Sequence, residues 1–278
     1  MAFGKLDIRK CVTTVLLLGV GVAFLLPFFW MLSTSFKTEA EVFTYPIQWI
    51  PQQWQAIENY KEVWLGQYPL YLYYWNSIKV TILTTLTSLL FSCMAAYAFA
   101  KIAFKGRDIA FMIVLATYMI PSQAILVPQF IIFRELQLFD THLGLILLNS
   151  FSVLGTFLLR QFFLGINKEY IEAAKMDGAG HIRIFAIVAI PLVRPAIATY
   201  GILRFIWTWN DYQNPLIFLR SEGLLTLQLG IRKFADAYGE FYSLMMAGSV
   251  IAIVPLLIVF ILGQKHVIAG LSLGGVKG

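Results

Sequence analysis

Charge is scarce in this chain, and so is cysteine. Of its 278 residues only 13% are Asp, Glu, Lys or Arg, against 59% hydrophobic residues and a mean hydropathy of +0.74. A soluble domain carries about 25% charged residues, and a core of this length could not hide so much apolar side chain. The soluble class is therefore excluded. Of the two cysteines, Cys11 sits at the edge of the first apolar run and Cys93 lies within the second, so they make no disulfide framework. The three histidines, His142, His181 and His266, stand far apart, without metal-ligand spacing. No Gly-x4-Gly-Lys-Ser/Thr run is present to cradle nucleotide phosphates, so the chain is not expected to hydrolyse ATP by itself. Gly270-Leu-Ser272-Leu-Gly274 matches a nucleophile elbow in letters only. Such an elbow needs a strand before it and an acid and a histidine after it, and four residues follow Gly274. No catalytic, cofactor-binding or metal-ligating residue is therefore assigned.

What is abundant is uninterrupted apolar length. A helix crosses the hydrocarbon with roughly 20 mainly apolar residues, and six runs qualify: 12–34, 77–100, 109–133, 143–164, 195–209 with some extension, and 243–263. The fold class expected is an all-α integral membrane protein with six transmembrane helices. The first run follows Lys5, Arg9 and Lys10 like a signal peptide, but it is too long and lacks a small-x-small cleavage site, so it reads as an uncleaved span. Assigning alternate sides places thirteen Lys and Arg at the two termini and in the loops 101–108 and 160–194. Six lie on the other side, where they share loops with ten acidic residues. The positive-inside bias puts both termini in the cytoplasm. The net charge of +6 is thus a topological signal rather than a nucleic-acid footprint. The expected organisation is a cytoplasmic N-terminus (1–11), a six-span domain (12–264) and a cytoplasmic tail (265–278). Within the domain, 165–194 is a cytoplasmic loop, and 35–76 and 211–242 are outer loops.

Small residues at a spacing of four, Ser92, Ala96 and Ala100, and likewise Gly248 and Ala252, predict close helix–helix approach. Pro27, Pro121, Pro128 and Pro255 interrupt spans. Pro121 and Pro128 bracket Ser122 and Gln123, and this pair of breaks is open to two readings, a transport pathway or packing. Polar side chains within spans are costly and face the bundle or a wet cavity. Lys79 and Arg160 are near span ends and can reach headgroups. Arg204 sits mid-run and needs a partner or water, as a gate residue or as a structural contact. Tyr118, Gln123, Asn149, Trp207 and Asn210 pair amides with aromatics, a chemistry suited to a solute that offers hydroxyls and a weakly apolar face.

The polar stretch Glu172-Ala173-Ala174-Lys175-Met176-Asp177-Gly178-Ala179-Gly180 lies between two apolar runs. Asn167 can cap a helix there, Glu169 and Glu172 sit near its positive end, and Gly178 can terminate it. Any interfacial helix could share those features. Nine residues separate Gly178, however, from Val188-Ala-Ile190-Pro191. The whole pattern resembles the cytoplasmic coupling loop of ABC importer permeases, with Val188 and Ile190 in place of the usual Ile and Leu.

The resemblance runs along the whole chain. Trp30-Met-Leu-Ser-Thr-Ser-Phe-Lys37, Glu58-Asn-Tyr60, Asn76-Ser77, Ala95-Ala-Tyr-Ala-Phe-Ala100 before Lys105-Gly-Arg107, Trp209-Asn210-Asp211 with Pro215-Leu216, and Gly270-Leu-Ser-Leu-Gly-Gly-Val-Lys-Gly278 occur in order. They resemble the second permease subunit of maltose-type importers and of their glycerol-phosphate and oligosaccharide relatives. That resemblance implies a type I ABC importer permease fold in a bacterial inner membrane. It implies as partners a second permease, an ATPase dimer and an extracytoplasmic sugar-binding protein, besides membrane lipid, and no nucleic acid. ATP and Mg would be bound by the ATPases, leaving no cofactor in this chain. Glu172, Ala173, Ala174, Asp177, Gly178 and Gly180 would couple to the ATPases, and Gly274, Gly275 and Lys277 in the tail would contact them. The tail by itself has too little apolar surface to fold unless a partner holds it. The outer loop 211–242, with Gly223, Gly230 and Gly239 as turns, either reaches the binding protein or docks on neighbouring loops. An ion-driven carrier would need an inverted repeat and buried carboxylates. A membrane-embedded enzyme would need convergent catalytic groups. The sequence offers neither set.

Overall fold

A backbone amide in hydrocarbon finds no water to bond, so a chain of this composition must satisfy its amides within helices. The computed structural model describes residues 8–236 and 241–275, and among these there is no strand. In chain order the helices are α1 (Ile8–Ser35), α2 (Glu39–Val42), α3 (Ala56–Leu65), α4 (Leu70–Lys101), α5 (Arg107–Thr117) and α6 (Ser122–Glu135). There follow α7 (His142–Leu148), α8 (Val153–Leu164), α9 (Lys168–Met176) and α10 (His181–Arg183). A π-helical turn (Ile184–Ala189) leads into α11 (Ile190–Leu192) and α12 (Arg194–Trp209). The last are α13 (Gln213–Phe218), a 3-10 turn (Glu222–Leu224), α14 (Leu227–Asp236) and α15 (Tyr242–Gly275).

Three stretches are long and apolar enough to cross a membrane alone: Arg9–Ser35, Leu70–Lys101 and Tyr242–Lys265. The other three expected spans are bent pairs. α5 and α6 meet at 97°, α7 and α8 at 49°, and the α10–α11 stretch meets α12 at 81°, giving six spans if each pair counts as one. The first bend falls at Tyr118–Pro121, because proline lacks a donor and pushes the residue before it out of the helical region. The expectation of two breaks in this span is corrected here: Pro128 lies inside α6, as Pro27 does in α1 and Pro255 in α15. The second bend is set by capping. Ser152 accepts from the Gly155 amide to start α8, and Thr141 accepts from Gly144 to start α7.

The chain divides into two units, Met1–Tyr71 with Gly230–Val254, and Leu72–Leu229 with Pro255–Gly278. In the first, the Glu39 carboxylate accepts from the amides of Tyr242 and Ser243, both at 2.9 Å, and from the Ser243 hydroxyl at 2.8 Å. An anion thereby caps the positive end of α15. Asn59 Nδ2 donates to the carbonyls of Ser35 (3.0 Å) and Lys37 (2.9 Å), fastening α3 to the end of α1. Gly248 lets α15 approach α14, since a Cβ there would stand 3.2 Å from Ile231.

In the second unit one stripe of α4 is built of small side chains, and Ser77, Thr81, Thr84, Ser88, Ser92, Ala96 and Ala100 are all buried. The predicted close approach is thus real and longer than expected. Gly155 of α8 is its counterpart: a Cβ there would fall 2.2 Å from the Tyr200 ring, whose hydroxyl lies 3.0 Å from Ser88 Oγ. The missing side chain lets α4, α8 and α12 meet around one buried tyrosine.

Three further expectations are corrected. Arg160 does not extend to headgroups; it donates to Phe99 O at 3.3 Å and lies 4.1 Å over the Phe111 ring, with Asp108 at 3.8 Å. Desolvating a guanidinium is tolerable where a ring face and a carbonyl replace water. Gly230 is not a turn but a buried residue within α14, and Gly223 lies in the 3-10 turn, while Gly239 lies outside the described residues. The tail, read as having too little apolar surface to fold by itself, continues the sixth-span helix, and the backbone of α15 stays helical to Gly275. Propagating a helix adds one hydrogen bond per residue fixed, whereas only nucleation is costly, so a low-bulk sequence can continue a long span. Lys277 lies outside the described residues.

Candidate coupling surface and translocation pathway

The polar stretch between the fourth and fifth spans folds as read. Asn167 Oδ1 accepts from the Glu169 amide at 3.2 Å and starts α9. Gly178 ends it with φ at +77°, and the Gly178 amide bonds Lys175 O while that of Ala179 bonds Ala174 O. The positive φ is the reason for glycine there. Glu172, Ala173, Asp177, Gly178 and Gly180 are exposed, and Ala174 is half-buried beside Ala179 against the core. Met176 and Ile182 are 88% and 85% exposed.

The inner face of α9 is anchored. Ile171 is buried in a cluster with Ala96 and Tyr97 of α4, Leu159 and Phe163 of α8, Ile184 of the π turn, and Ala196 and Tyr200 of α12. Tyr97 makes ring contacts with Phe163 and Phe185 at 5.8 and 5.2 Å. Lys101 Nζ donates to Ile166 O at 2.8 Å, tying the end of α4 to the start of this loop. The inner face of α9 thus shares one close-packed core with α4, α8 and α12, and such a core has little slack. Beside α9, a surface cleft of about 590 Å³ is lined by residues including Gln161, Ile166, Tyr170 and Leu192.

The proposed pathway residues fall into three places. Tyr118 and Gln123 are exposed on either side of the α5–α6 bend. Asn149 closes α7, and its carbonyl accepts from Arg204 Nη2, so the mid-run arginine finds its partner at a freed helix end. Trp207 and Asn210 are exposed at the end of α12, with Asn210 Nδ2 bonded to Ile206 O at 2.9 Å. Near Asn149 a small enclosed cavity of about 10 Å³ is bordered by Thr208, Asp211 and Thr226, and the hydroxyls of both threonines lack a protein partner. It suits about one water. Burial raises the Asp211 carboxyl above its ordinary value, opposed by hydrogen bonds from Asn214 at 2.7 and 3.1 Å.

Outside the spans, Asp140 clips two loops together. It accepts from the Arg220 and Ser221 amides at 2.8 and 2.9 Å and from the Ser221 hydroxyl, and those bonds, the hydroxyl's first, hold its carboxyl below the usual range. His142 Nε2 lies 2.8 Å from Leu224 O in the same cluster. Sequence reasoning passed over Asp140; its place two residues before a helix start was the available signal. No group of three or more potential metal ligands forms among the described residues.

Residues 88–272 match the family described as the binding-protein-dependent transport system inner membrane component. The chain belongs to that family. This permease is 33% identical over 275 residues to the arabinooligosaccharides transport system permease protein AraQ of Bacillus subtilis, covering 99% of this chain and 98% of that one. It is 35% identical over 258 residues to the sulfoquinovosyl glycerol transport system permease protein SmoH of Agrobacterium fabrum, covering 91% and 89%. Its fold resembles a chain in the crystal structure of a bacterial ABC transporter that imports the acidic polysaccharide alginate, with a TM-score of 0.81, 27% identity and coverage of 95% and 99%. The permease is therefore a multi-pass inner-membrane component that works with a binding protein and other transporter subunits. Membership sets aside the ion-driven carrier.

Proposed function

We propose that this permease subunit serves an ATP-driven sugar importer of a bacterial cytoplasmic membrane, and that it lines the translocation pathway together with a second, different permease. Both relatives handle sugars or sugar derivatives by name, and the exposed amides and aromatics of the pathway have matching chemistry. With thirteen Lys and Arg on one side, both termini and the α9 loop face the cytoplasm. The chain itself is non-catalytic: an ATPase dimer holds ATP and Mg, and an extracytoplasmic protein delivers the solute.

The observation that carries this reading is the two-faced α9, with Glu172, Ala173 and Met176 turned outward and Ile171 locked into a core shared by α4, α8 and α12. ATP binding closes the ATPases, α9 moves with them, and the packed core turns that motion into a switch between inward- and outward-facing states. Gly274, Gly275 and Lys277 extend the contact with the ATPases from the tail, and Tyr118, Gln123, Asn149, Arg204, Trp207 and Asn210 border the path. The outer stretch from Asp211 to Tyr242 faces the binding protein. The test is purification with co-expressed partners, followed by reconstitution with candidate binding proteins and sugars. Stimulated ATP hydrolysis by one sugar with its binding protein is expected, and a chain that never co-purifies with an ATPase overturns the reading.

A further inference from the structure

Between Glu41 and Glu58 the chain has no charged residue at all, and the stretch Phe43–Ile57 holds four aromatics, three isoleucines, two prolines and four glutamines. Most of it is non-helical, in bends and turns. Its large apolar side chains point outward: Tyr45 is 94% exposed, Ile57 80%, Ile50 74%, Phe43 71%, Trp54 63% and Trp49 51%. So much contiguous apolar surface is unusual on a face bathed in water.

The segment is tied to the end of α1. Trp49 packs edge-on against Trp30 with ring centroids 5.5 Å apart, and Ser33 Oγ donates to Trp49 O at 2.5 Å. Lys37 is fully buried; its Nζ donates to Gln48 O and lies 4.1 Å over the Trp30 ring. Phe36 stacks on Trp54 at 5.6 Å. With 28 residues, α1 is about 42 Å long at 1.5 Å per residue, against a hydrocarbon thickness of about 30 Å. Its last few residues therefore stand among headgroups, and Trp49, fixed beside Trp30 and Ser33, stands level with them. The sides of α1 are bare at the same level, with Phe28 and Phe29 51% and 57% exposed.

We propose that Phe43–Ile57 is a membrane-interface anchor that lies in the headgroup layer beside α1 and takes phospholipid as its partner. Trp and Tyr favour this depth because an apolar ring and a polar tip are both satisfied there. The glutamines supply hydrogen bonds to headgroups without the cost of a charge. A binding protein that docks and leaves in each cycle is the poorer occupant, since transient docking uses charge for steering and this stretch has none. The inference rests on α1 crossing the membrane and not on which solute is carried.

The test uses the full complex in phosphatidylethanolamine–phosphatidylglycerol vesicles, with Cys11→Ala and Cys93→Ala as background and a nitroxide placed at Tyr45→Cys, Ile50→Cys or, as aqueous reference, Glu58→Cys. Collision with oxygen, which concentrates in lipid, is compared with collision with a water-soluble nickel chelate. The expected result is an oxygen-to-nickel ratio several-fold higher at Tyr45→Cys and Ile50→Cys than at Glu58→Cys, unchanged when binding protein is added. A ratio equal to the reference, suppression of both collisions by a covering protein subunit, or protection by added binding protein would each overturn the proposal. A label-free measurement guards against poorly assembled variants: lipids brominated near the headgroup should quench the native complex more than Trp49→Phe or Trp54→Phe, and equal quenching counts against it. Sugar uptake measured in the same vesicles keeps failure of the anchor distinct from failure of the transport reading.

Discussion

Replacing Ile171 with alanine should uncouple ATP hydrolysis from transport while leaving the ATPase-facing surface of α9 intact. Ile171 is 6% exposed and sits in the cluster that joins α9 to α4, α8 and α12, whereas Glu172, Ala173 and Met176 on the opposite face are exposed. The substitution removes three carbons, about 2.4 kcal/mol at ~0.8 kcal/mol per buried carbon. A residual cavity adds to this, and buried isoleucine-to-alanine changes cost about 2–5 kcal/mol in all. A loss near 3 kcal/mol shifts the balance between anchored and released α9 roughly 100-fold. In proteoliposomes, uptake per complex should fall steeply while hydrolysis persists, less responsive to loaded binding protein. Ile171→Val, costing about 0.5–1.5 kcal/mol, should lie between. Amide exchange in 165–180 should quicken in Ile171→Ala, as expected for a locally released element. Native uptake together with unaltered exchange would refute the claim that this side chain fastens the loop to the spans.

Gly178→Val should cost about 1–2 kcal/mol through its left-handed backbone alone, because nothing lies within 4 Å of a Cβ there, whereas Gly178→Asn tolerates that conformation. Uptake should fall in the valine variant with membrane insertion retained, and equal behaviour of the two would remove backbone conformation as the cause. Glu172→Lys should weaken co-purification of the ATPase by reversing an exposed charge on the contact face, and undiminished recovery would argue against that contact. For Asp140, the bonds from Ser221 and Arg220 lower the folded pKa beneath 3.8, so its contribution is present above that value and is lost as pH falls through the lowered one. The difference in melting temperature between the native complex and Asp140→Ala should therefore shrink on going from about pH 7 to about pH 3; a constant difference would refute the sign.

Composition and period settled the class of this protein. An apolar run of the right length has no alternative to a membrane helix, and a cap residue such as Asn167 or a terminating Gly178 acts through its own neighbours, so both are legible locally. The stripe Ser92, Ala96, Ala100 was readable for the same reason, since helical geometry fixes which residues share a face. Tertiary structure decided what depends on distant partners. Pro121 stands at the start of α6 and breaks its span, whereas Pro128 lies inside α6, a difference that the two prolines' own chemistry does not foretell. Arg204 found its acceptor at Asn149 O, 55 residues away, and Arg160 turned onto the Phe111 ring instead of toward headgroups. Lys37, a loop lysine by sequence, is buried over Trp30. Above all, the sequence marked Glu172 to Gly180 as a polar loop between spans, but only packing shows what it is fastened to. Ile171 lies near the middle of a helix whose pattern names no partner, and burial among Ala96, Leu159 and Tyr200, residues remote in sequence, is what ties that surface to the spans it would move.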